Sequence, residues 1–255
     1  MFTDYKEFIK NPLSLSCKKA KNINDVIKKC ENVRLSVLES LENNNFPIII
    51  GGDHSTAMAS ISAGAETFGL DDYAVIYIDG HTDINTEETS LTHNIHGMPL
   101  ASSIGICNPL LKIGKQNKNL RGENLFILGA RSIDKKEFDI IEENKVNLFK
   151  NDLFFNDGDL AILDKIISQI GTKKVHISFD VDVLDPKFFK ATGYIMEKGL
   201  SIDCVSTLLD HLFRKLNVVS FDMVEYNPLL DSNDNDFKTV IGFLKKVVLL
   251  AKKEK

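Results

Sequence analysis

The stretch VIYIDGHTDIN, residues 75–85, decides the fold prediction. It begins with the apolar run Val75 to Ile78, which is rich in β-forming residues and is continuous rather than alternating. A strand buried on both faces has this pattern, as in a parallel sheet covered by helices. Three ionisable residues follow at intervals of two, Asp79, His81 and Asp83. The stretch therefore predicts a central strand with a functional site at its carboxyl end.

Four other apolar runs have the same character. They are FPIII (46–50), LFILG (125–129), KVHISFDV (174–181) and VVSFDMVE (218–225). Segments with helical spacing of apolar residues alternate with them, among them residues 22–44 and 236–255. This alternation predicts an α/β fold with a mostly parallel sheet wrapped by helices. The sequence has no internal repeat, low-complexity segment or clear linker, so we expect a single domain over residues 1–255.

Composition narrows the function classes. The 255 residues are 43% hydrophobic, enough for a sizeable core. The net charge is -5 and no basic stripe occurs, which argues against a nucleic-acid partner. No apolar run approaches the roughly 20 residues of a membrane span, and the first residues lack the apolar segment of a signal peptide. The four cysteines (Cys17, Cys30, Cys107 and Cys204) form no CxxC pair, which indicates free thiols and a cytoplasmic protein.

Polar residues follow each predicted strand at its carboxyl end. In chain order they are Asp53 and His54; Asp79, His81 and Asp83; Arg131, Asp134 and Glu137; Asp180 and Asp182; and Glu225. The carboxyl ends of parallel strands line the ligand crevice in open α/β sheets. We therefore expect these side chains to meet at one rim.

Four aspartates at one rim need compensating charge. Two carboxylates ~4 Å apart repel by about 4 kcal/mol at an effective dielectric near 20. Two divalent cations would balance Asp79, Asp83, Asp180 and Asp182. Two imidazoles, four carboxylates and no thiolate favour Mn²⁺ over structural Zn²⁺. A metal pair that activates water indicates a hydrolase.

Each motif taken alone could also have a purely structural role. GGDHS could form a turn with a helix N-cap, and the aspartates of DVDVLDP could cap backbone amides in a turn. The other histidines lack acidic neighbours of this kind. We interpret His176, His211 and His93 as ordinary strand, helix and loop residues, respectively.

Five motifs in this order resemble the ureohydrolases, the family of arginase, agmatinase and formimidoylglutamase. They are GGDHS (51–55), DGHTDIN (79–85), NIHGMPLA (94–101), SFDVDVLDP (178–186) and VEYNP (224–228). The resemblance implies a three-layer α/β/α fold and a binuclear Mn²⁺ site, with two ions per subunit. It implies that His54 and Asp83 bind one ion, that His81 and Asp182 bind the other, and that Asp79 and Asp180 bridge them.

Within that family, the stretches DINTEETSLTHNIHGMPLA and GARSIDKKE resemble arginases, which implies hydrolysis of L-arginine to L-ornithine and urea. By this resemblance, Asn85, Thr92 and Asn94 bind the substrate α-carboxylate, and Asp134 with Glu137 takes the α-ammonium group. Glu225 would hold the guanidinium, Asp83 would relay a proton to the leaving amine, and His96 would exchange protons with solvent. Agmatine lacks the carboxylate and would leave the donors unpaired. The resemblance also implies a homo-oligomer, a trimer or hexamer.

Three departures from the family pattern stand out. The family usually begins with a strand and a glycine-rich loop before the segment FTDYKEF (2–8), and we expect this strand to be missing here, which would leave FPIII short of a partner. Tyr194 and Ile195 replace a threonine and a proline near the guanidinium pocket. Gly80 replaces the common alanine, a change expected to be mild. Two alternatives to an arginase therefore stay open: another ureohydrolase with a different guanidino substrate, and a catalytically impaired protein that keeps the metals as a structural staple.

Overall fold

The computed structural model describes residues 23–115, 119–154 and 160–252. Six strands form one sheet in the order β1-β6-β5-β2-β3-β4, and every neighbouring pair is parallel. The strands are β1 (Ile48–Ile50), β2 (Tyr73–Ile78), β3 (Leu125–Ala130), β4 (Asn147–Lys150), β5 (Lys174–Asp180) and β6 (Asn217–Val224). The sheet predicted from the apolar runs is thus confirmed, with β2 and β5 at its centre.

Helices cover both faces of the sheet. They are α1 (Ile23–Glu42), α2 (Ala57–Phe68), α3 (Pro99–Ser103), α4 (Lys135–Glu143), α5 (Leu160–Ile170), α6 (Ile202–Lys215) and α7 (Asn235–Lys252). Successive residues of β2 point to opposite faces, so Ile76 and Ile78 pack with α5, α6 and α7. Val75 and Tyr77 pack with α2 and α4 on the other face. The molecule therefore has the three layers, helix, sheet and helix, that were expected.

β4 is the strand that the sequence did not predict. It has four residues and none of them is buried, because it lies at one edge of the sheet. Its sequence, NLFK, has a polar residue at each end and no continuous apolar run. A short edge strand of this kind leaves too weak a pattern to be recognised.

β1 lies at the opposite edge. Among residues 23–115, 119–154 and 160–252, it pairs only with β6. The segment FTDYKEF (2–8), which the resemblance places after the family's additional strand, lies outside the described residues, as does Cys17. Within the described ranges, no helix has the length and apolar character needed to cross a membrane.

Candidate metal centre

Four adjacent strands bring the predicted ligands together. The sheet order places β1, β6, β5 and β2 side by side, so the residues that follow their carboxyl ends share one rim. His54 opens a short 3₁₀ turn after β1, and Asp79 follows β2 directly. Asp180 ends β5, and Asp182 lies in the 3₁₀ turn that follows it. Residues more than 100 positions apart in the chain thereby become neighbours.

The first ligand group surrounds the Nδ1 atom of His54. Oδ2 of Asp79 and Oδ2 of Asp180 each lie 3.0 Å from this nitrogen. Oδ2 of Asp83 lies 3.3 Å from it. One imidazole nitrogen thus faces three carboxylates, which is the donor set of a divalent cation site.

The second ligand group surrounds the Nδ1 atom of His81. Oδ2 of Asp182 lies 2.9 Å from it, and Oδ1 of Asp79 lies 3.5 Å from it. Asp79 therefore directs one oxygen to each group. In both groups, His54–Asp79–Asp180 and Asp79–His81–Asp182, the candidate ligand atoms lie within 4.8 Å of one another.

The geometry fits cations better than it fits hydrogen bonding. His54 and Asp79 are buried, at 1% and 0% exposure. Although Nδ1 of His54 and Oδ2 of Asp79 lie 3.0 Å apart, neither atom makes a hydrogen bond of acceptable geometry within the described part of the chain. Buried polar atoms without partners are costly unless something else compensates them. Divalent cations would accept both lone pairs, so the residues present fit a pair of metal ions.

Electrostatics within the cluster support the same interpretation. Burial lowers the pKa of His54, but the adjacent carboxylates of Asp180 and Asp79 outweigh burial and raise it well above the usual value. The pKa of His81 rises in the same way, to about 12. Burial, followed by repulsion from Asp79, raises the pKa of Asp182 to about 6. The cluster therefore retains protons where metal ions would supply positive charge.

A buried polar network holds His54 from behind. Nε2 of His54 lies 2.9 Å from Oγ of Ser178, which donates a 2.5 Å hydrogen bond to Asp222. Asp222 also accepts from Ser60 and lies 3.0 Å from Nε2 of His176. Such contacts fix the tautomer and orientation of a ligating histidine.

This network is the part of the site that sequence reasoning missed. His176 is fully buried within it, so the interpretation of His176 as an ordinary strand residue overlooked its link to His54 through Asp222 and Ser178. Strand register places His176 beside Ser220 and Ser178 beside Asp222. The available signal was the polar residues at alternate positions of two otherwise apolar strands. His211, by contrast, pairs with Asp164 and belongs to α6, as expected.

Gly80 is more constrained than the sequence suggested. A Cβ atom at this position would lie 2.6 Å from Nη1 of Arg131 and 3.0 Å from Oδ1 of Asp182. The Arg131 guanidinium is not free to move, because it donates to the carbonyl oxygens of Asp182, Val183 and Met196. The expectation that an alanine-to-glycine change is mild is therefore wrong here: the missing methyl group leaves room for Arg131 against the metal-ligand loop.

Glu225 lies beside the first ligand group. It follows β6 with a φ of 67°, a left-handed conformation that is uncommon for glutamate and often marks a functional position. Its Oε1 accepts a 2.9 Å hydrogen bond from the backbone N–H of His54. Burial, followed by the charge of Asp53, raises the pKa of Glu225 to about 8. Glu225 is half-buried, and a cation bound beside it would offset the cost of burial and favour the charged form of its carboxyl group.

The residues predicted to bind the substrate α-carboxylate lie in the segment after β2. Asn85 is buried, and its Nδ2 donates a long 3.4 Å bond to Oδ2 of Asp134. Asn94 donates a 3.4 Å bond to the hydroxyl of Tyr194, and Thr92 is exposed and accepts from the backbone N–H of Asn94. The roles assigned to Asn85, Thr92 and Asn94 in substrate binding stay predictions.

Asp134 and Glu137 differ in their surroundings. Asp134 is exposed at the start of α4. Glu137 is buried, and its two carboxylate oxygens accept from the backbone N–H groups of Asp134 and Ile84. Asp134 is thus accessible to an ammonium group, whereas Glu137 supports the backbone around it.

Tyr194 lies at the mouth of the site, together with His96. The ring centroid of Tyr194 is 5.8 Å from that of His81 and 5.6 Å from that of His96, with edge-on geometry in both cases. Tyr194 is 47% exposed and Ile195 is 55% exposed, so both reach solvent. A Cβ atom at the neighbouring Gly193 would lie 4.0 Å from Oε2 of Glu225. The segment therefore borders the space between Glu225 and Asn94.

A parallel three-layer α/β fold with a paired histidine and aspartate centre at its carboxyl rim defines a class, the metal-dependent hydrolases of the ureohydrolase type. Comparison with known proteins narrows the class further. The family model for the arginase family matches residues 5–248, and the chain belongs to that family.

Individual relatives agree with the family assignment. The chain is 32% identical over 250 residues to an arginase from Bacillus subtilis strain 168, covering 97% of this chain and 81% of the relative. It is 34% identical over 220 residues to an arginase from Plasmodium berghei, covering 84% of this chain and 62% of the relative. Among solved structures, an arginase from Bacillus caldovelox superimposes with a TM-score of 0.83 at 27% identity, covering 93% of this chain and 80% of that one.

Proposed function

We propose that this protein is an arginase, which hydrolyses L-arginine to L-ornithine and urea with two Mn²⁺ ions per chain. One observation carries the proposal. Asp79 directs its two oxygens to two separate histidine-centred ligand groups, and Glu225 is tied to one of them. A paired cation site beside a half-buried carboxylate suits a reaction in which water attacks a cationic carbon.

The cluster residues divide between the two ions. His54 and Asp83 would hold one ion, His81 and Asp182 the other, and Asp79 and Asp180 would serve both. Bound divalent ions supply Lewis-acid chemistry and make water nucleophilic at neutral pH. The carboxylates would thus fix where the nucleophile is generated, next to the backbone of His54 to which Glu225 is hydrogen-bonded.

The remaining residues orient the substrate and move protons. Glu225 holds the guanidinium by charge-assisted hydrogen bonds, which places its central carbon towards the metal centre. Asp83 passes a proton to the leaving amine, since its carboxylate lies at the edge of the first ligand group. His96, which lies at the mouth of the site, exchanges protons with solvent.

Discrimination for an α-amino acid depends on the other end of the site. Asn85, Thr92 and Asn94 offer neutral donors to the α-carboxylate, and Asp134, with Glu137 behind it, offers negative charge to the α-ammonium group. The close approach of Asn85 to Asp134 supports this arrangement, because the two groups of one substrate carbon need adjacent partners.

Tyr194 supports a second candidate function. Its hydroxyl accepts from the amide of Asn94, one of the groups assigned to the α-carboxylate. A phenol that occupies this donor and borders the Glu225 pocket would favour a different guanidino compound, such as agmatine. The second candidate is therefore a ureohydrolase that acts on a substrate without the α-carboxylate.

Urea release separates these candidates. The Mn²⁺-loaded protein is incubated with L-arginine or with agmatine, and the amine products are identified by mass spectrometry. Urea and ornithine from L-arginine, with a kcat/KM at least tenfold above that for agmatine, are expected. Preference for agmatine would overturn the proposal in favour of the second candidate. Two bound ions without turnover of either substrate would instead indicate a structural role for the metals.

A further inference from the structure

Tyr77 is a buried residue of β2 that contacts two of the residues assigned to the metal centre. Its ring stacks on the imidazole of His54, with centroids 4.2 Å apart and planes inclined by 10°. Its hydroxyl donates a 2.8 Å hydrogen bond to Oδ2 of Asp83. The same oxygen lies 3.3 Å from Nδ1 of His54. One side chain thus touches both the ring of one ligand and the carboxylate of the other.

Asp83 is the ligand that most needs an anchor. Its backbone has a φ of 44°, in the left-handed region that residues with a Cβ atom adopt infrequently. Its side chain is 13% exposed, whereas those of Asp79 and Asp180 are at 0% and 3%. The Tyr77 hydroxyl therefore anchors the most exposed of these three carboxylates.

His54 is held on two sides. Ser178 contacts its Nε2 atom, and the Tyr77 ring covers one face of the imidazole. The ring fixes the plane of the imidazole, and the hydroxyl fixes the carboxylate against the same nitrogen. These two contacts act on the same ligand group and leave the group around His81 to Asp79 and Asp182.

We propose that Tyr77 is a positioning residue that holds Asp83 against His54 in the orientation needed to bind one of the two divalent cations. This inference rests on the part of the proposed function that assigns metal ions to the cluster, and it does not depend on the identity of the guanidino substrate. Loss of the hydroxyl leaves the stacked ring in place and releases the Asp83 carboxylate. Contacts that orient metal ligands typically change affinity by about 10- to 100-fold.

The chain offers a matched control on the same strand. Tyr73 lies four residues earlier on β2, packs on the same face, and is as completely buried as Tyr77. Its hydroxyl, however, has no hydrogen-bond partner among the residues that the structure describes. Tyr73→Phe therefore removes the same atom from the same kind of surroundings without touching a ligand.

The test is a calorimetric titration of chelator-stripped full-length protein with Mn²⁺. The wild type and Tyr73→Phe are each expected to bind two ions per chain, and the affinities of the variant should equal those of the wild type. Tyr77→Phe is expected to bind one ion at least tenfold more weakly and the other with unchanged affinity. Two ions bound by Tyr77→Phe with wild-type affinity would overturn the inference. So would a lower free energy of unfolding of the metal-free variant without any change in metal affinity, since that result indicates packing alone.

The titration also separates this inference from the proposed function. If the wild type binds two ions but releases no urea, the assigned activity fails while the comparison of Tyr77→Phe with Tyr73→Phe still decides the role of Tyr77. If the wild type binds no Mn²⁺, the metal assignment and the inference are both overturned. In an active enzyme, urea release by Tyr77→Phe should fall at limiting Mn²⁺ and recover at least partly when Mn²⁺ is raised.

Discussion

The backbone N–H of His54 donates a 2.9 Å hydrogen bond to Oε1 of Glu225. The two residues are 171 positions apart in the chain, yet one bond ties the carboxylate assigned to the guanidinium to the residue at the centre of the first ligand group. The position of the Glu225 carboxylate relative to the first ligand group is therefore fixed by the backbone after β1 and not by a flexible side chain alone.

Glu225→Gln tests the guanidinium role. The amide oxygen of glutamine can still accept from the His54 N–H, so the metal centre should remain intact. The charge-assisted bonds to the substrate are lost, at about 1.5–3 kcal/mol, and kcat/KM for L-arginine should fall at least tenfold. Steady-state urea release, with metal content measured in parallel, checks both expectations. An unchanged kcat/KM at full metal loading would contradict the assignment.

Asn85→Ala tests how the α-carboxylate is recognised. Asn85 is buried, and among the residues that the structure describes its amide nitrogen donates only a long hydrogen bond, so donor capacity remains for a substrate. Loss of the amide should raise KM for L-arginine about tenfold and leave that for agmatine nearly unchanged, because agmatine has no carboxylate to lose a partner. Equal effects on both substrates would show that Asn85 acts on the fold of the site and not on selectivity.

Gly80→Ala tests the close approach of Arg131. The added methyl group would meet Nη1 of Arg131 at 2.6 Å and must displace a guanidinium that anchors the Asp182 loop. Overpacking of this kind typically costs about 1–3 kcal/mol of unfolding free energy. We expect the free energy of unfolding, measured by urea denaturation, to fall by this amount. We also expect the variant to bind Mn²⁺ more weakly than the wild type.

The control for this substitution is Gly242→Ala in α7, where an added Cβ meets nothing within 4 Å. A helical Gly→Ala change in open space should be neutral or stabilising by up to about 1 kcal/mol. If Gly80→Ala behaves like Gly242→Ala, the inferred crowding at Arg131 is incorrect.

The metal-free protein should lose stability as pH rises from 6.5 to 8. The pKa of His81 is raised from 6.5 to about 12, and that of His54 is also raised, so the folded state keeps protons that the unfolded chain releases above pH 6.5. The pKa of Glu225 is raised from 4.5 to about 8, so its folded state also binds a proton across this window. All three groups bind more protons when folded, and the sign is therefore the same for each.

Each such proton lowers the free energy of unfolding by up to about 1.4 kcal/mol per pH unit. Urea unfolding of chelator-treated protein at pH 6.5 and at pH 8 measures the fall in the free energy of unfolding between these pH values. This fall should be smaller in His81→Asn. Saturating Mn²⁺ should reverse the trend, because metal binding replaces the protons and strengthens as pH rises. Stability of the metal-free protein that increases towards pH 8 would refute the charge distribution described for the cluster.

The sequence predicted the centre of the molecule better than its edges. β2 is continuously apolar because helices cover both of its faces, and β5 is apolar at alternate positions. The residues assigned as ligands follow these strands at intervals of two, a spacing that can be recognised without a structure. β4 was missed because it is short and half-buried. The network of His176 and Asp222 was missed because the register of two strands creates it, and no local pattern encodes that register.

Gly80 illustrates a different limit. The size of a residue can be read from the sequence, but the distance to Arg131 depends on how β3 and the loop after β5 pack together. The same holds for Glu137, whose carboxylate turns to backbone amides that lie 53 positions away and at the start of its own helix.

The central claim is that the carboxylate cluster holds two divalent cations, and metal content tests it most directly. Chelator-stripped protein is loaded with Mn²⁺, dialysed, and analysed by inductively coupled plasma mass spectrometry, alongside Asp79→Ala and the exposed control Asp139→Ala on α4. Two ions per chain are expected for the wild type and for Asp139→Ala, and at most one for Asp79→Ala, because Asp79 serves both ligand groups. A wild type that retains no metal, or an Asp79→Ala variant that retains two ions, would contradict the account.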